Sequence, residues 1–192
     1  LPADAPLHAL HPQPKPVVLL TAHHADDQVE TVLMQLFRGT GLHGLTGIPT
    51  RRLDSLNLAR PLLHFSKEAI KAYAELHQLS YVEDSSNEKN DYTRNLIRNQ
   101  LIPQIATIYP MVHENILGTV QRLKEAEEIV ATTVAAFWKK GIKTKKGIVS
   151  IPIAYWNKVI DNSTYTWGLI QQYGFKPQQI EEVHKIAALY LK

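Results

Sequence analysis

The residues best suited to catalysis or ligand binding are two histidines and three acidic residues within residues 21–31, which read TAHHADDQVET. If this run is helical, at about 100° per residue, His23, Asp27 and Glu30 share one stripe with Met34. Two carboxylates within one turn repel each other, so we expect a positive partner and favour a divalent metal ion that carries phosphate. The alternative is an ordinary acidic first turn, in which Asp26 or Asp27 caps the helix. A separate apolar stripe, which packing can bury, consists of Ala25, Val29, Val32, Leu33 and Leu36.

The surrounding pattern predicts that this run lies at a strand-to-helix junction. Residues 17–20 are Val-Val-Leu-Leu, which is typical of a buried parallel strand, and a helical pattern follows the acidic run. Open α/β sheets bind their ligands at such junctions. Residues 58–63 and 81–82 predict two further strands, and residues 51–57 a loop. Between those strands, Ser66 is the predicted cap of a helix whose buried stripe contains Ile70, Tyr73, Ala74 and His77. This order implies a right-handed parallel crossover.

Two further groups of residues suit an anion. The segment 38–47 contains one arginine and four glycines, and its backbone N–H groups can cradle an anion, although a flexible turn is the alternative. Arg94 and Arg98 share one face of a basic amphipathic helix predicted for residues 92–102. Their planar guanidinium groups suit phosphate or carboxylate, and a merely solvated helix face is the alternative.

The second half of the chain is predicted to be mainly helical. Pro103 and Pro110 predict a domain boundary. A long helix is expected from Val112 to residue 137 or 140, followed by a strand at residues 147–152 and by two more helices at residues 155–172 and 177–191. A lysine cluster, the residues Lys139, Lys140, Lys143, Lys145 and Lys146, crowds the end of the long helix. Such a cluster is usually a solvated turn, but it also suits a nucleic-acid backbone.

Composition excludes several classes of protein. No apolar run approaches the roughly 20 residues of a membrane span. Cysteine is absent, which excludes disulfides and thiolate metal sites and fits a reducing compartment. The net charge of +3 permits a polyanionic partner without requiring one.

Several blocks of the sequence follow one another in a recognisable order. The run HHADDQVET comes first, and RGTGLHGLTGIP follows at residues 38–49. The later blocks are RPLL at 60–63, SKEAI at 66–70, YVEDSSN at 81–87 and TRNLIRNQLIP at 93–103. This ordered set resembles one family, the tRNA(Ile)-lysidine synthetases of the ATP-pyrophosphatase (PP-loop) group. The resemblance covers residues 17 to about 105 and becomes weak beyond residue 110.

The resemblance implies an α/β fold, part of a parallel-sheet PP-loop (adenine nucleotide alpha hydrolase-like) domain followed by a smaller, mainly helical domain. The implied segments are a proline-rich connector (1–16), the C-terminal part of the PP-loop domain (17–110) and a helical tRNA- or substrate-binding domain (111–192). It also implies a cytoplasmic enzyme that adenylates the wobble cytidine of tRNA(Ile) with a CAU anticodon and joins L-lysine to it. The implied cofactors are ATP and Mg²⁺, and a homodimer is a further expectation.

The resemblance also implies roles for individual residues. The catalytic residues would be His23, Asp27 and Glu30, and Asp27 and Glu30 would hold Mg²⁺ or the lysine ammonium. The lysine cluster would contact tRNA. The implied nucleotide- and substrate-binding residues are His24, Arg38, Gly39, Thr40, Gly41, Asp84, Asn87, Arg94 and Arg98.

The sequence departs from the family in one respect, because it contains no Ser-Gly-Gly-x-Asp-Ser loop to hold the ATP phosphates. We therefore expect a fragment that, purified alone, neither binds ATP nor makes lysidine. A central apolar strand also needs neighbours on both sides, so we expect residues 17–20 to leave an apolar sheet edge exposed, with a tendency to self-associate.

Two other functions remain open at this point. The paired histidines and aspartates are also typical of a metal-dependent His-Asp phosphohydrolase, although the remaining histidines form no His-x-x-x-His or His-Asp pair. A non-catalytic RNA-binding module is the second alternative. Tight binding of a transition metal would favour the hydrolase, and magnesium-dependent ATP binding would favour the synthetase.

Overall fold

A computed structural model of the chain describes residues 17–52, 57–82 and 93–189, so the predicted proline-rich connector lies outside the described residues. By its internal contacts the chain divides into two compact units, Leu1–Gln121 and Arg122–Lys192. The division falls within the long helix α6 (Val112–Gly141), whose predicted extent is confirmed.

The first unit contains a small mixed sheet of three two-residue strands, in the order β1-β3-β2. Strand β1 (Leu19–Leu20) runs parallel to β3 (Leu58–Ala59), whereas β2 (Arg51–Arg52) is antiparallel to β3. The prediction of a loop at residues 51–57 is therefore wrong for β2. The hydrogen bonds of a strand come from its backbone, and an edge strand tolerates charged side chains such as Arg51 and Arg52. Residues 81–82, which were predicted to be a strand, are described and lie outside the sheet.

The prediction of a parallel strand at residues 17–20 is confirmed for Leu19–Leu20, but the predicted burial of this strand is wrong. Val17 is 83% exposed and Leu20 is 64% exposed. Within the described part of the chain, β1 pairs only with β3, so one of its edges has no strand beside it. The expected exposure of an apolar sheet edge is therefore found.

Helix α1 (Ala25–Phe37) provides the core of the first unit. Its predicted apolar stripe is buried except at the last position, because Leu36 is 53% exposed. Val29 and Leu33 pack in one cluster with Ile97, Ile102 and Val112. The other helices of this unit are α2 (Leu42–Leu45), α3 (Lys67–Leu76), α4 (Thr93–Leu96) and α5 (Ile102–Ile108).

Helix α3 begins where it was predicted, but its buried stripe is wrong. The Ser66 hydroxyl accepts a hydrogen bond from the Ala69 amide, which is the expected cap. No residue of α3 is buried, and Tyr73 is 59% exposed.

A π-helical turn (Ile97–Leu101) joins α4 to α5. The basic helix was predicted to end at residue 102, and that bound is wrong, because α5 continues through Pro103 to Ile108. Proline lacks the N–H group that an α-helix needs, but the first turn of a helix does not use this donor. The wider turn immediately before α5 re-registers the backbone, so that Pro103 lies in such a first turn.

The described part of the second unit contains the C-terminal part of α6, a hairpin and three further α-helices around its own core. Strands β4 (Lys143–Lys145) and β5 (Ile148–Ser150) are antiparallel. The single helix predicted for residues 155–172 is interrupted, because Asn162 caps a new helix through a hydrogen bond from the Thr164 amide. The helices are α7 (Ile153–Trp156), α8 (Ser163–Ile170) and α9 (Ile180–Leu189). The core of this unit contains Val134, Trp138, Trp156, Val159, Leu169 and Ile170. No helix in the described part of the chain is long and apolar enough to cross a membrane.

Candidate functional site

The acidic run begins helix α1 with a side-chain cap. The Asp27 carboxylate accepts a hydrogen bond from the backbone N–H of His24, 3.0 Å from its Oδ2. His24 is the residue that precedes the helix, so His23 lies outside it, with its Nδ1 2.9 Å from the Thr21 hydroxyl. The prediction that His23 shares a helical stripe with Asp27 is therefore wrong. A helix face begins only after the capping residue.

Glu30 lies on the same side of α1 as Asp27, but its environment differs from the prediction. Its side chain is 1% exposed, whereas a face free of packing was expected. Arg98 from the π-helical turn binds it with two nitrogens, Nε 2.5 Å from Oε1 and Nη2 3.0 Å from Oε2. The same Nη2 lies 3.2 Å from Oδ1 of Asp27. One guanidinium group therefore joins the two carboxylates.

Arg94, one helical turn before Arg98, completes this cluster. Its Nη2 donates to the Thr31 hydroxyl at 2.9 Å, and its Nε lies 3.7 Å from Oε2 of Glu30. The predicted shared face of Arg94 and Arg98 is turned towards α1. Asp27, Glu30, Thr31, Arg94 and Arg98 together form what we call the arginine–carboxylate cluster.

Burial and charge oppose each other at Glu30. Burial raises the pKa of Glu30, and the hydrogen bonds and charge of Arg98 act against this shift. The pKa of Arg98 is raised, chiefly by its hydrogen bond to Glu30. Two arginine nitrogens bind both oxygens of Glu30, which is the geometry of the ionised carboxylate.

Asp27 and Glu30 do not form a two-carboxylate Mg²⁺ site in this arrangement, because Arg98 binds both carboxylates and the Glu30 side chain is only 1% exposed. Both oxygens of Glu30 and Oδ1 of Asp27 accept from Arg98, and Oδ2 of Asp27 accepts from the His24 amide. Among the described residues, no three His, Cys, Asp or Glu side chains are grouped as metal ligands. The positive partner expected for the two acids is therefore arginine.

Asp26 belongs to a second, adjacent cluster. Its Oδ2 accepts the backbone N–H of Lys67 at 2.8 Å, so it caps α3 from α1. Nδ1 of His24 lies 3.2 Å from the same oxygen, although without the alignment of a hydrogen bond, and Nε2 of His113 lies 3.6 Å from Oδ1. The neighbouring His24 is the largest cause that holds the pKa of Asp26 well below its ordinary value, and the Lys67 amide and His113 add to it while burial opposes it.

We expect Asp26 to make the stability of the protein depend on pH in the acid range. A carboxyl group whose pKa is lowered on folding stabilises the protein above its unfolded pKa of about 3.9, and this contribution is lost as the pH falls through the folded pKa. Asp26→Asn should therefore be less stable than wild type at pH 7, with a difference that shrinks below about pH 4. Urea unfolding at several pH values measures it. Asp161→Asn, at an exposed site, is the control, and an equal loss for Asp26→Asn at pH 7 and pH 3 would contradict the expectation.

The segment after α1 is only partly a loop. Arg38 ends α1 and is exposed, Gly39 has a φ of +71° that favours glycine, and Gly41 is the residue that precedes α2. Of the predicted glycine positions, Gly41 therefore immediately precedes a short helix, and Gly44 lies within it. Arg38, Gly39, Thr40 and Gly41 remain predicted binding residues.

The other predicted site residues lie elsewhere. Asp84 and Asn87 fall outside the described residues. The lysine cluster is exposed at the end of α6, on β4 and in the turn after it. Gln28 and Asp26 were not predicted to make the contacts that they make. A polar Gln28 beside the apolar stripe was the available signal, whereas nothing in the sequence pairs Asp26 with α3.

A parallel strand followed directly by a helix is typical of an α/β domain, and such domains bind ligands at this junction. Here the junction carries charged groups, because two arginines contact the carboxylates in the first turns of α1. The chain belongs to the PP-loop family, because a family model described as "PP-loop domain" matches residues 8–105.

Several curated relatives are called tRNA(Ile)-lysidine synthase. The chain is 42% identical to the Pseudomonas aeruginosa protein over 119 residues, which cover 62% of this chain and 27% of that protein. It is 36% identical to the Francisella tularensis protein over 172 residues, 88% of this chain and 43% of that protein. With the Porphyromonas gingivalis protein it shares 36% identity over 166 residues, 84% of this chain and 34% of that protein. The chain thus spans less than half the length of these relatives.

Proposed function

We propose that the protein carrying this chain is an ATP-dependent tRNA(Ile)-lysidine synthase, a ligase that forms a carbon–nitrogen bond. Its substrates would be tRNA(Ile) with a CAU anticodon, L-lysine and ATP. The arginine–carboxylate cluster at the start of α1 carries the proposal, because it holds charged groups at a strand-to-helix junction. The names of the relatives and the family match support it.

The structure suggests different roles for the two carboxylates of the cluster. Glu30 is fully buried beneath Arg98, so we assign it to positioning that arginine. Asp27 keeps 13% of its side chain exposed and shares the same arginine. Each of its oxygens has a further lone pair, so Asp27 can accept hydrogen bonds from the ammonium group of the substrate lysine. Asp27 is thus the carboxylate that meets lysine.

The chemistry that we propose has two steps. The C2 oxygen of the wobble cytosine attacks the α-phosphorus of ATP, and pyrophosphate leaves. The lysine amine then attacks C2, and AMP departs with the former cytosine oxygen. A carbonyl oxygen leaves poorly until it is adenylated, which is why the first step consumes ATP. Binding lysine beside the activated cytidine supplies proximity for the second step.

The remaining site residues receive proposed roles in binding. The segment 38–41 would line the pocket for ATP and cytidine, with Arg38 in reach of phosphate because its side chain is exposed. His23 and His24 would face the nucleotide beside this segment, and Asp84 and Asn87 would form the rim. Mg²⁺ is proposed only as a companion of the ATP phosphates, since the Asp27–Glu30 pair does not fit it. We further propose a cytoplasmic location and a homodimer.

We propose the domain organisation that the resemblance implies. Residues 17–110 would belong to a parallel-sheet PP-loop domain, and residues 111–192 to a helical domain that binds tRNA or substrate. Lysine-rich segments support this assignment for the second part, because phosphate contacts require positive charge within reach.

Incorporation of labelled lysine tests the proposed function directly. The protein carrying this chain is incubated with ATP, lysine and tRNA(Ile), and the digested tRNA is analysed by mass spectrometry for lysidine. We expect lysine at the wobble position only when ATP is present. Phosphate-ester hydrolysis without lysine transfer would favour the phosphohydrolase, and tRNA binding without turnover would favour the RNA-binding module.

We expect the lysine cluster to add affinity for tRNA without base specificity. Lys143 and Lys145 are exposed on β4, so Lys143→Gln/Lys145→Gln removes two charges with little effect on packing. If both lysines contact phosphate, the slope of log K against log salt should fall by about 1.4–1.8.

Filter binding at several salt concentrations measures the slope. Lys176→Gln/Lys185→Gln, which removes two exposed charges from the same unit, is the control. Unchanged affinity of the β4 variant at low salt would mean that the cluster is only a solvated turn.

A further inference from the structure

Gln28 is a buried polar residue to which the proposed chemistry assigns no role. It is 2% exposed, next to Asp27 in the sequence. Its Nε2 donates to the Thr46 carbonyl at 3.2 Å, and its Oε1 accepts from the Ile48 amide at 2.7 Å. Both ends of one side-chain amide are therefore bound to backbone groups on either side of Gly47.

The backbone at Gly47 lies directly against this side chain. Gly47 has a φ of +70°, and a Cβ atom placed there would lie 2.7 Å from Nε2 of Gln28. Thr46 and Ile48 are 6% and 7% exposed, so water does not readily replace the bonds that Gln28 makes. The segment cannot leave α1 without exposing buried polar groups.

The same segment is held from a second direction by Arg60. Its Nη1 donates to the Pro49 carbonyl at 2.8 Å, and its backbone N–H donates to the Thr50 carbonyl at 2.9 Å. Residues 46–50 are thereby fixed, and the Thr46 hydroxyl extends the attachment to the His43 carbonyl in α2 at 2.7 Å. Along the chain, segment 38–41 follows α1 directly and is joined through α2 to this anchored stretch.

We propose that Gln28 is a positioning residue that sets the distance between the segment 38–41 and the carboxylates of α1. The inference rests on the proposed function, in which that segment binds ATP and Asp27 meets lysine. Asp27 and Gln28 occupy the same turn of α1. The hydrogen bonds from Gln28 to the backbone on either side of Gly47 therefore fix the position of segment 38–41 relative to Asp27. Loss of this bond should weaken ATP binding and leave the lysine contacts intact.

The variant Gln28→Met tests the proposal, because methionine has a similar length and forms neither hydrogen bond. In the protein carrying this chain, we expect the Kd for ATP, measured by calorimetry, to rise about tenfold, because the backbone at Gly47 is no longer held against α1 and segment 38–41 loses its binding position. The KM for lysine should stay within about twofold. Gln35→Met, two turns along the same helix, is the control and should leave both constants unchanged.

A second measurement identifies the bond itself. Hydrogen exchange at the Ile48 amide should accelerate about tenfold or more in Gln28→Met, while the amide of Val32 in α1 keeps its protection. A residue that only stabilises the fold would reduce the fraction of active protein and leave the Kd for ATP unchanged, which would overturn the proposal. Wild-type protein that binds ATP but forms no lysidine would overturn the proposed function alone, whereas equal ATP affinity of wild type and Gln28→Met would overturn this inference alone.

Discussion

Arg98→Met should lower the free energy of unfolding by about 3 kcal/mol or more, because it leaves a buried carboxylate without its partner. Glu30 is 1% exposed, and of the basic side chains that the structure describes beside it, Arg94 would remain, with its Nε 3.7 Å away. Breaking a buried ion pair on one side typically costs about 3–5 kcal/mol. Urea unfolding measures the change.

The loss should depend on pH in a defined direction. Without Arg98, burial and the charge of Asp27 would raise the pKa of Glu30 further, with the charge of Arg94 acting against them. A carboxyl group with a raised folded pKa favours the folded state below its unfolded pKa, and that contribution is lost as the pH rises through the folded value. The deficit of Arg98→Met should therefore be smaller at pH 4 than at pH 7.

Two further variants test whether the loss of stability comes from the Arg98–Glu30 ion pair. Arg94→Met, at a side chain 38% exposed, should cost about 1 kcal/mol or less. Adding Glu30→Gln to Arg98→Met should recover part of the loss, because the uncompensated charge disappears. A stability of Arg98→Met within about 0.5 kcal/mol of wild type would contradict the assigned role of the pair.

Asp27→Asn should reduce lysidine formation at least about 100-fold while tRNA affinity stays within about twofold. Asparagine has the same shape and still accepts the His24 amide, but it lacks the charge that a lysine ammonium group and Arg98 require. Single-turnover assays with labelled lysine measure the rate, and filter binding measures the tRNA affinity. Asp161→Asn, at an exposed position, serves as the matched control.

Glu30→Gln should also reduce lysidine formation strongly, but for a different reason. It disturbs the position of Arg98, so the loss of activity should accompany a loss of stability, whereas Asp27→Asn should lose activity with a smaller change in stability. An Asp27→Asn protein with wild-type turnover would contradict the role of Asp27.

The sequence predicted those features of the site that depend on local periodicity. The spacing of Asp27 and Glu30 predicted a shared helix face, and the spacing of Arg94 and Arg98 predicted another. A positive partner for the acids was also predicted, because the repulsion of neighbouring carboxylates follows from elementary electrostatics. The residue that supplies it was not, since Arg98 lies 68 positions after Glu30 and nothing local indicates a contact over that separation.

Other differences have equally specific physical causes. Val17 and Leu20 match a buried strand in composition, but burial requires partners that the local sequence does not specify. The helix of residues 25–37 begins after His24, because Asp27 bonds the backbone of that residue, and this excluded His23 from the helix face. The position of a single capping hydrogen bond thus decides that His23 does not share a helix face with Asp27 and Glu30.

The π-helical turn makes the chain length between α4 and α5 a determinant of the site. An α-helix rotates about 100° per residue, and a π turn accommodates one residue more than an α turn. Removing one residue from this turn would rotate the part before it relative to the part after it, so that Arg94 and Ile102 could no longer both face α1. The segment Ile97–Leu101 therefore sets the rotation between the two parts of the helix, so that Arg94 pairs with Glu30 while Ile102 packs in the apolar core. We expect substitutions in this turn to be tolerated when they preserve shape and charge. Insertions and deletions should disrupt the site, so we expect this short stretch to keep its length in functional descendants of the sequence.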